Sequence, residues 1–352
     1  MEFINETDWP AEIFRNELEE NIMYNSVLAR IRYKILNDNS LVPLTDGKNQ
    51  LKDIRREPIE QEFGTIEPDL FFPRTGTDVI IIGYAMSING YVDEMLINVS
   101  AGPYNESLKI IGDRVWEKNF FSKQLTPTKP EPFIKMPVKY QLAFGGVANH
   151  ENGEVPNPYN PIGKGYYLSK NEAIGKPLPN IEDPHNLISV WKKPQKKNIQ
   201  EHINNIKPVG FAPYPSNWAL RLQNIIKWEE NIEEIDPNDL EELYNIMETI
   251  DFAPENGLFD RAHPKLSGKK IMPGQTIMIK GMSKNGLISF DIPKSPFEVF
   301  IELEDEKYSR EMVLEEIFID LINSYVDLSY RKLFDYEFIP HQTRITCLKY
   351  KD

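Results

Sequence analysis

DVIIIGYAMSINGYVDEMLINVS, residues 78–100, decides how this chain is read. Its two apolar runs, about Val79 to Ile82 and Met95 to Val99, hold β-branched residues that suit a pleated, half-buried surface. Asn89-Gly90 stands between them. That dipeptide accepts the positive φ angles of a tight turn, so the stretch predicts a β-hairpin. QTIMIKGMSKNGLISFDIP, 275–293, repeats the pattern with Asn285-Gly286 and predicts a second. EEIFIDLINSYVDLSYRKL, 315–333, predicts a third. There Val326, Leu328 and Tyr330 alternate with Asp327, Ser329 and Arg331, the pattern of one buried and one wet face. NSVLARIRYKILNDN, 25–39, alternates too, with Arg30, Arg32 and Lys34 on one face.

Helical signals are fewer. Asp236-Pro237 combines an N-cap carboxylate with proline at the first helical position, and Leu240, Leu243, Met247 and Ile250 follow at helical spacing. This predicts a helix over 236–250. Another is predicted from Ser216 to about Trp228, with Trp218, Leu222 and Ile225 on one stripe. Between them and the first hairpin, residues 120–215 are rich in Pro, Gly and Asn. Aromatic residues interrupt that stretch throughout, which disordered tracts lack, so it reads as an ordered loop region around a β core.

Composition narrows the function classes. With 352 residues, 40% of them apolar, the chain can bury a substantial core, and it reads as one large domain over 1–352. Its 40 basic and 54 acidic residues leave a net charge of −14. Such a surface repels nucleic acid and anionic lipid. One cysteine, Cys347, builds neither a disulfide framework nor a cysteine zinc site. The start, MEFINETDWPAEIF, lacks a signal-peptide core, and no window approaches the roughly 18 apolar residues of a membrane span. These features predict a soluble cytoplasmic protein.

No motif compels chemistry. In NPYNPIGKGYY, 157–167, Gly163-Lys164-Gly165 lacks the glycine spacing and the Ser or Thr of a phosphate loop. It reads as a tight turn whose prolines fix φ and whose glycines, with Gly145 and Gly146, supply angles other residues avoid. His150, His185, His202, His263 and His341 form no HxH or HExxH pair, and no metal or cofactor is expected. Ser267 has no nucleophile elbow. Asp251, Glu255 and Asp260 flank a loop where a carboxylate pair would serve a carbohydrate-active hydrolase, or else hold Arg261 and cap turns. Arg114 and Trp116, two apart on a strand, read as a guanidinium stacked over an indole. No catalytic residue is predicted.

Taken in order, GTDVIIIGYA (76–85), IIGDRVW (110–116), MPVKYQLAFGG (136–146), NPIGKGYY (160–167), GKPLPNIEDP (175–184), VGFAP (209–213), NWALR (217–221), DFAPENGLFDR (251–261) and LSGKKIMPGQTIMIKGM (266–282) resemble the bacterial family known as domain of unknown function 2169. The resemblance spans about residues 20–335. Members of that family lie in gene neighbourhoods of type VI secretion systems. There they look like adaptors or chaperones that hold a toxic effector and help load it onto the VgrG/PAAR spike tip. The family has no established catalytic residues to carry over.

The resemblance therefore implies a non-enzymatic adaptor whose partners are an effector and a spike-tip protein. A hydrolase on a β-sandwich and a structural piece of the secretion apparatus are the alternatives. The expected fold is mainly β, an antiparallel sandwich-like core with long Pro/Gly-rich loops, a few helices and C-terminal hairpins over 270–335. Tyr166, Tyr167, Trp218 and Arg221 are candidate partner contacts, or else packing inside the loop region.

Overall fold

The computed structural model describes residues 2–19, 22–45, 47, 49–70, 72–150, 153–193, 206–221, 257, 259–303, 306–337 and 344–350. The architecture is mainly β and sandwich-like. Its largest sheet has the order β2 (Ala11–Glu19), β3 (Ile22–Ile35), β22 (Tyr325–Glu337), β21 (Val313–Asp320), β5 (Asp78–Ile82), with β4 (Leu41–Pro43) also on β3. A five-stranded sheet runs β16 (Ile181–Glu182), β8 (Tyr104–Ile111), β7 (Glu94–Ala101), β17 (Thr276–Lys280), β18 (Leu287–Asp291). A four-stranded sheet runs β1 (Glu2–Asn5), β23 (Arg344–Tyr350), β19 (Phe297–Leu303), β20 (Glu306–Glu311). Most pairings are antiparallel; β1 on β23, β5 on β21 and the short pair of Phe144–Gly145 with Lys164–Gly165 are parallel.

Smaller ribbons join β6 (Tyr84–Met86) to β11 (Lys135–Pro137), β9 (Trp116–Lys118) to β10 (Leu125–Pro127), β12 (Phe144–Gly145) to β15 (Lys164–Gly165), and β13 (Val147–His150) to β14 (Gly153–Pro156). One short helix, α1 (Lys170–Ala173), is capped by the Ser169 hydroxyl, which accepts from the Glu172 N–H at 3.2 Å. The predicted helix over 236–250 lies outside the described residues. So does the second beyond 219–221, where the chain has just turned helical.

The main core follows from the alternation. Val27, Ala29, Ile31, Tyr33 and Ile35 of β3 and Val326, Leu328 and Tyr330 of β22 point inward, against Ile97 and Val99 of β7 and Ile277 and Ile279 of β17. A second, smaller core gathers Trp116, Leu125, Phe144, Tyr166, Leu178 and Ile188 within the loop region.

Two readings need correction. Asn89-Gly90 does turn, with Gly90 at φ +83°, but it closes no hairpin. β6 pairs with β11, and β7 pairs with β8 and β17, so the turn passes the chain between sheets. Asn285-Gly286 does close a hairpin, β17–β18, yet through a longer loop than a two-residue turn. The Gly286 N–H donates to the Ser283 carbonyl at 3.0 Å, and of the Asn-Gly pair Gly286 alone takes a positive φ.

The second correction is the wet face. Arg30, Asp327, Ser329 and Arg331 are all buried. The register aligns Arg30, Ser329, Glu316 and Asp78 in one row across β3, β22, β21 and β5. The irregular segment after β4 lies over that row and brings its own matching charges, Arg55, Asp69 and Arg74. Alternation records polarity; here it marks a buried ionic layer, tolerable because each charge meets an opposite one.

Candidate functional site

The most exposed aromatic side chains among the described residues stand on the β9–β10 ribbon. Its base is fixed: Trp116 and Leu125 are buried in the second core. Its tip, residues 119–124, is ordered by Asn119. The Asn119 Oδ1 accepts from the Phe121 and Ser122 N–H groups, both at 3.0 Å. Its backbone N–H donates to the Gln124 carbonyl at 2.8 Å, and the Lys123 N–H returns to the Asn119 carbonyl at 3.0 Å. A side chain that satisfies two turn N–H groups holds the loop in one conformation. On it Phe120 is 90% and Phe121 93% exposed, with ring centroids 5.6 Å apart, edge to face. Lys118 and Lys123 flank them, and neither has an ion-pair partner among the described residues.

A second apolar surface lies at the end of the five-stranded sheet. The Ser87 N–H donates to the Ile134 carbonyl at 2.9 Å, and the Met86 N–H to the Gly281 carbonyl at 2.8 Å. These bonds bring the 86–91 loop beside the β17–β18 loop. Ile88, Tyr91, Leu96, Ile134 and Leu287 are all exposed there.

The candidates singled out in the sequence fall elsewhere. Tyr166, Trp218 and Arg221 are buried, and Tyr167 is half-buried with its hydroxyl donating to the Pro177 carbonyl at 2.9 Å. The Arg221 Nη2 donates to the carbonyls of Tyr214 (2.7 Å) and Ala262 (3.0 Å), and Trp218 packs edge-on against Tyr140 and Tyr214. Arg114 pairs with Glu182 and the Pro179 carbonyl, so it forms no clasp with Trp116.

The glycines do build a junction. A Cβ on Gly145 would sit 2.1 Å from the Asn160 carbonyl oxygen, and one on Gly163 would sit 2.4 Å from the Asn160 Nδ2. Gly146 and Gly165 are packed as closely, on the Gly163 carbonyl and on Pro179. Asn160 Nδ2 in turn donates to the carbonyls of Tyr140 (2.8 Å) and Phe144 (3.0 Å). Gly163-Lys164-Gly165 is thus held backbone to backbone, and the β12–β15 contact leaves no anion cradle.

Titratable side chains near the family motifs serve structure. The His263 Nε2 lies 3.1 Å from the Pro208 carbonyl and its Nδ1 accepts from the Lys265 N–H at 3.2 Å. That assigns the Nε2–H tautomer, and burial pushes the ring's pKa down to about 4. Asp260 accepts from the Thr75 N–H (2.9 Å) and hydroxyl (2.7 Å). Asp251 and Glu255 lie outside the described residues. Burial, then Glu6, pushes the Cys347 thiol up to about 11, away from nucleophilic thiolate. Among the described residues no cluster of His, Cys, Asp or Glu would hold a metal ion, and no helix is long and apolar enough to cross a membrane.

Sequence reasoning missed Phe120 and Phe121. The available signal was an apolar pair set among turn formers, Asn119 before and Ser122-Lys123 after, where a tight turn offers no core.

No curated protein and no solved structure matches the chain. A family profile does, over residues 21–331, and its description is an uncharacterised protein conserved in bacteria, DUF2169. That span covers most of the sequence and every stretch from 76 to 282 that carries the resemblance, so the chain belongs to the DUF2169 family.

Proposed function

We propose that this protein is a cytoplasmic, non-catalytic adaptor that binds a type VI secretion effector and assists its loading onto the VgrG/PAAR spike tip. The partner class comes from the family resemblance. The observation that carries protein binding is the Phe120–Phe121 tip: two rings held out from the surface by a hydrogen-bonded turn on an anchored ribbon. Water disfavours such a pair, and a preordered turn loses little conformational freedom when a partner covers it. Covering two phenyl rings contributes about 3–6 kcal/mol, enough to anchor a complex whose remaining contacts only exclude water. Release follows when the cargo's apolar surface finds its place on the spike.

Co-expression with the products of the adjacent open reading frames tests this. The native chain is expected to retain one of them through purification at physiological salt. The Phe120→Ser, Phe121→Ser double variant is expected to fold normally and to retain at least tenfold less. Retention of no neighbouring product by the native chain removes the proposal.

A further inference from the structure

Strands at the border of a sheet present unpaired N–H and C=O groups, and natural proteins guard them. Two borders here show how. Beside and along β5, the Thr77 N–H donates to the Lys269 carbonyl (2.9 Å) and the Ile81 N–H to the Phe211 carbonyl (2.7 Å). β20 reads EKYSRE, with four charges in six residues. β18 differs: LISFD has a single charge, at its end.

The ladder fixes which groups of β18 face outward. The Gly281 N–H donates to the Gly286 carbonyl (2.8 Å) and the Ile292 N–H to the Gln275 carbonyl (3.0 Å). Alternate residues between these bonds, Ile288 and Phe290, therefore share hydrogen bonds with Ile279 and Ile277 of β17. The backbone groups of Leu287, Ser289 and Asp291 point the other way. Among the described residues nothing pairs with them. Beside this border stand the exposed side chains of Ile88 and Leu287. A Cβ on Gly286 would lie 3.6 Å from Ile88, which places Ile88 beside the start of β18. Lys280 stands opposite Leu287 in the ladder, Lys284 lies in the β17–β18 loop and Lys294 follows the far end of the strand, none with an ion-pair partner among the described residues.

We propose that the outer border of β18 is a strand-addition site, which takes an extended segment of the cargo as a sixth strand of this sheet. The segment that fits alternates apolar and acidic residues. Its backbone satisfies Leu287, Ser289 and Asp291, its apolar side chains cover Ile88 and Leu287, and its carboxylates meet the three lysines. A second copy of the chain fits badly, because two-fold antiparallel pairing about Ser289 brings Lys284 at one end of the strand toward Lys294 at the other end of its partner. The inference rests on the adaptor reading and deepens it with a binding mode.

Ser289→Pro is the discriminating change. The Ser289 N–H takes no part in the fold, and proline is tolerated on a border strand, but its ring removes the donor and blocks a neighbour. In the co-expression experiment, Ser289→Pro is expected to melt as the native chain does and to retain at least tenfold less neighbouring product. In the native complex the amides of Leu287, Ser289 and Asp291 are expected to exchange hydrogen at least tenfold more slowly than in the free chain. Equal retention by both chains, or unchanged exchange at those amides, overturns strand addition and leaves the adaptor reading standing. If the native chain retains no product, both fall. A self-association that Ser289→Pro abolishes assigns the border to a second copy and overturns the inference. Should the variant not fold, exchange in the native complex decides.

Discussion

At Glu316 two guanidiniums converge on one carboxylate inside the protein. Arg55 Nη2 lies 2.5 Å from Oε1 and Arg74 Nη2 2.6 Å from Oε2, and the Glu316 side chain is fully buried. Around them Arg55 also meets Asp69 at 3.1 Å, Arg74 meets Asp78 at 3.2 Å, and Arg331 meets Glu315 at 2.7 Å. Such a layer is weak evidence for stability when taken whole, since apolar residues of equal volume often do as well. Breaking it at one point is different, because it strands a buried charge. Glu316→Gln keeps the shape and removes the countercharge of Arg55 and Arg74 together. Stability is expected to fall by about 3–5 kcal/mol, read as a lower urea midpoint with an unchanged slope. Loss is expected to shrink when Arg55→Met is added, since the double variant buries fewer unmatched charges.

The hairpin β21–β22 shows how local chemistry and tertiary context divide the work. Its turn holds Ser324 at φ +59°, a conformation that strains any residue with a Cβ. The turn is kept by the Ile35 N–H, which donates to the Ser324 carbonyl at 2.9 Å and ties it to β3. Ser324→Gly relieves the strain at some gain in unfolded-chain entropy, so stability is expected to rise by about 0.5 kcal/mol in urea unfolding. This hairpin and β17–β18 were legible because strand and turn are neighbours in sequence. Asn89-Gly90 was misread because turn chemistry says that a chain reverses, and says nothing of which strand it meets next. Asp327 and Arg331 were misread because the segment that covers them has no period of its own to betray it. The burial of Tyr166 and Trp218 and the exposure of Phe120 and Phe121 were not legible for a related reason: what surrounds an aromatic ring in three dimensions leaves no mark at the level of residue type.

For the whole molecule the buried titratable groups set the response to acid, and two of them act in separate ranges. His263 is buried and neutral, with its pKa pushed by burial from 6.5 to about 4. Below pH 6.5 the unfolded chain takes up a proton that the folded one refuses, so stability falls until about pH 4, by roughly 3 kcal/mol in all. Glu316 resists longer. Burial alone would raise it, but Arg55, Arg74 and Arg30 hold it at about 2, against 4.5 for an ordinary glutamate. Its stabilisation is complete above pH 4.5 and is lost as the pH drops toward 2. These two contributions thus fall away in successive ranges, while Asp78, whose carboxyl is pushed up to about 7 by burial, works against the first by taking up a proton in the folded chain before the unfolded one. His263→Gln retains an amide donor for the Pro208 carbonyl and cannot titrate. Urea unfolding at steps from pH 7.5 to pH 3 is expected to show stability dropping between 6.5 and 4 in the native chain relative to this variant, by roughly 3 kcal/mol in all, while the fall below 4.5 persists in both. An identical slope in the two proteins above pH 4.5 would mean that His263 takes up its proton as readily in the folded chain as in the unfolded one, and that burial does not hold the ring neutral.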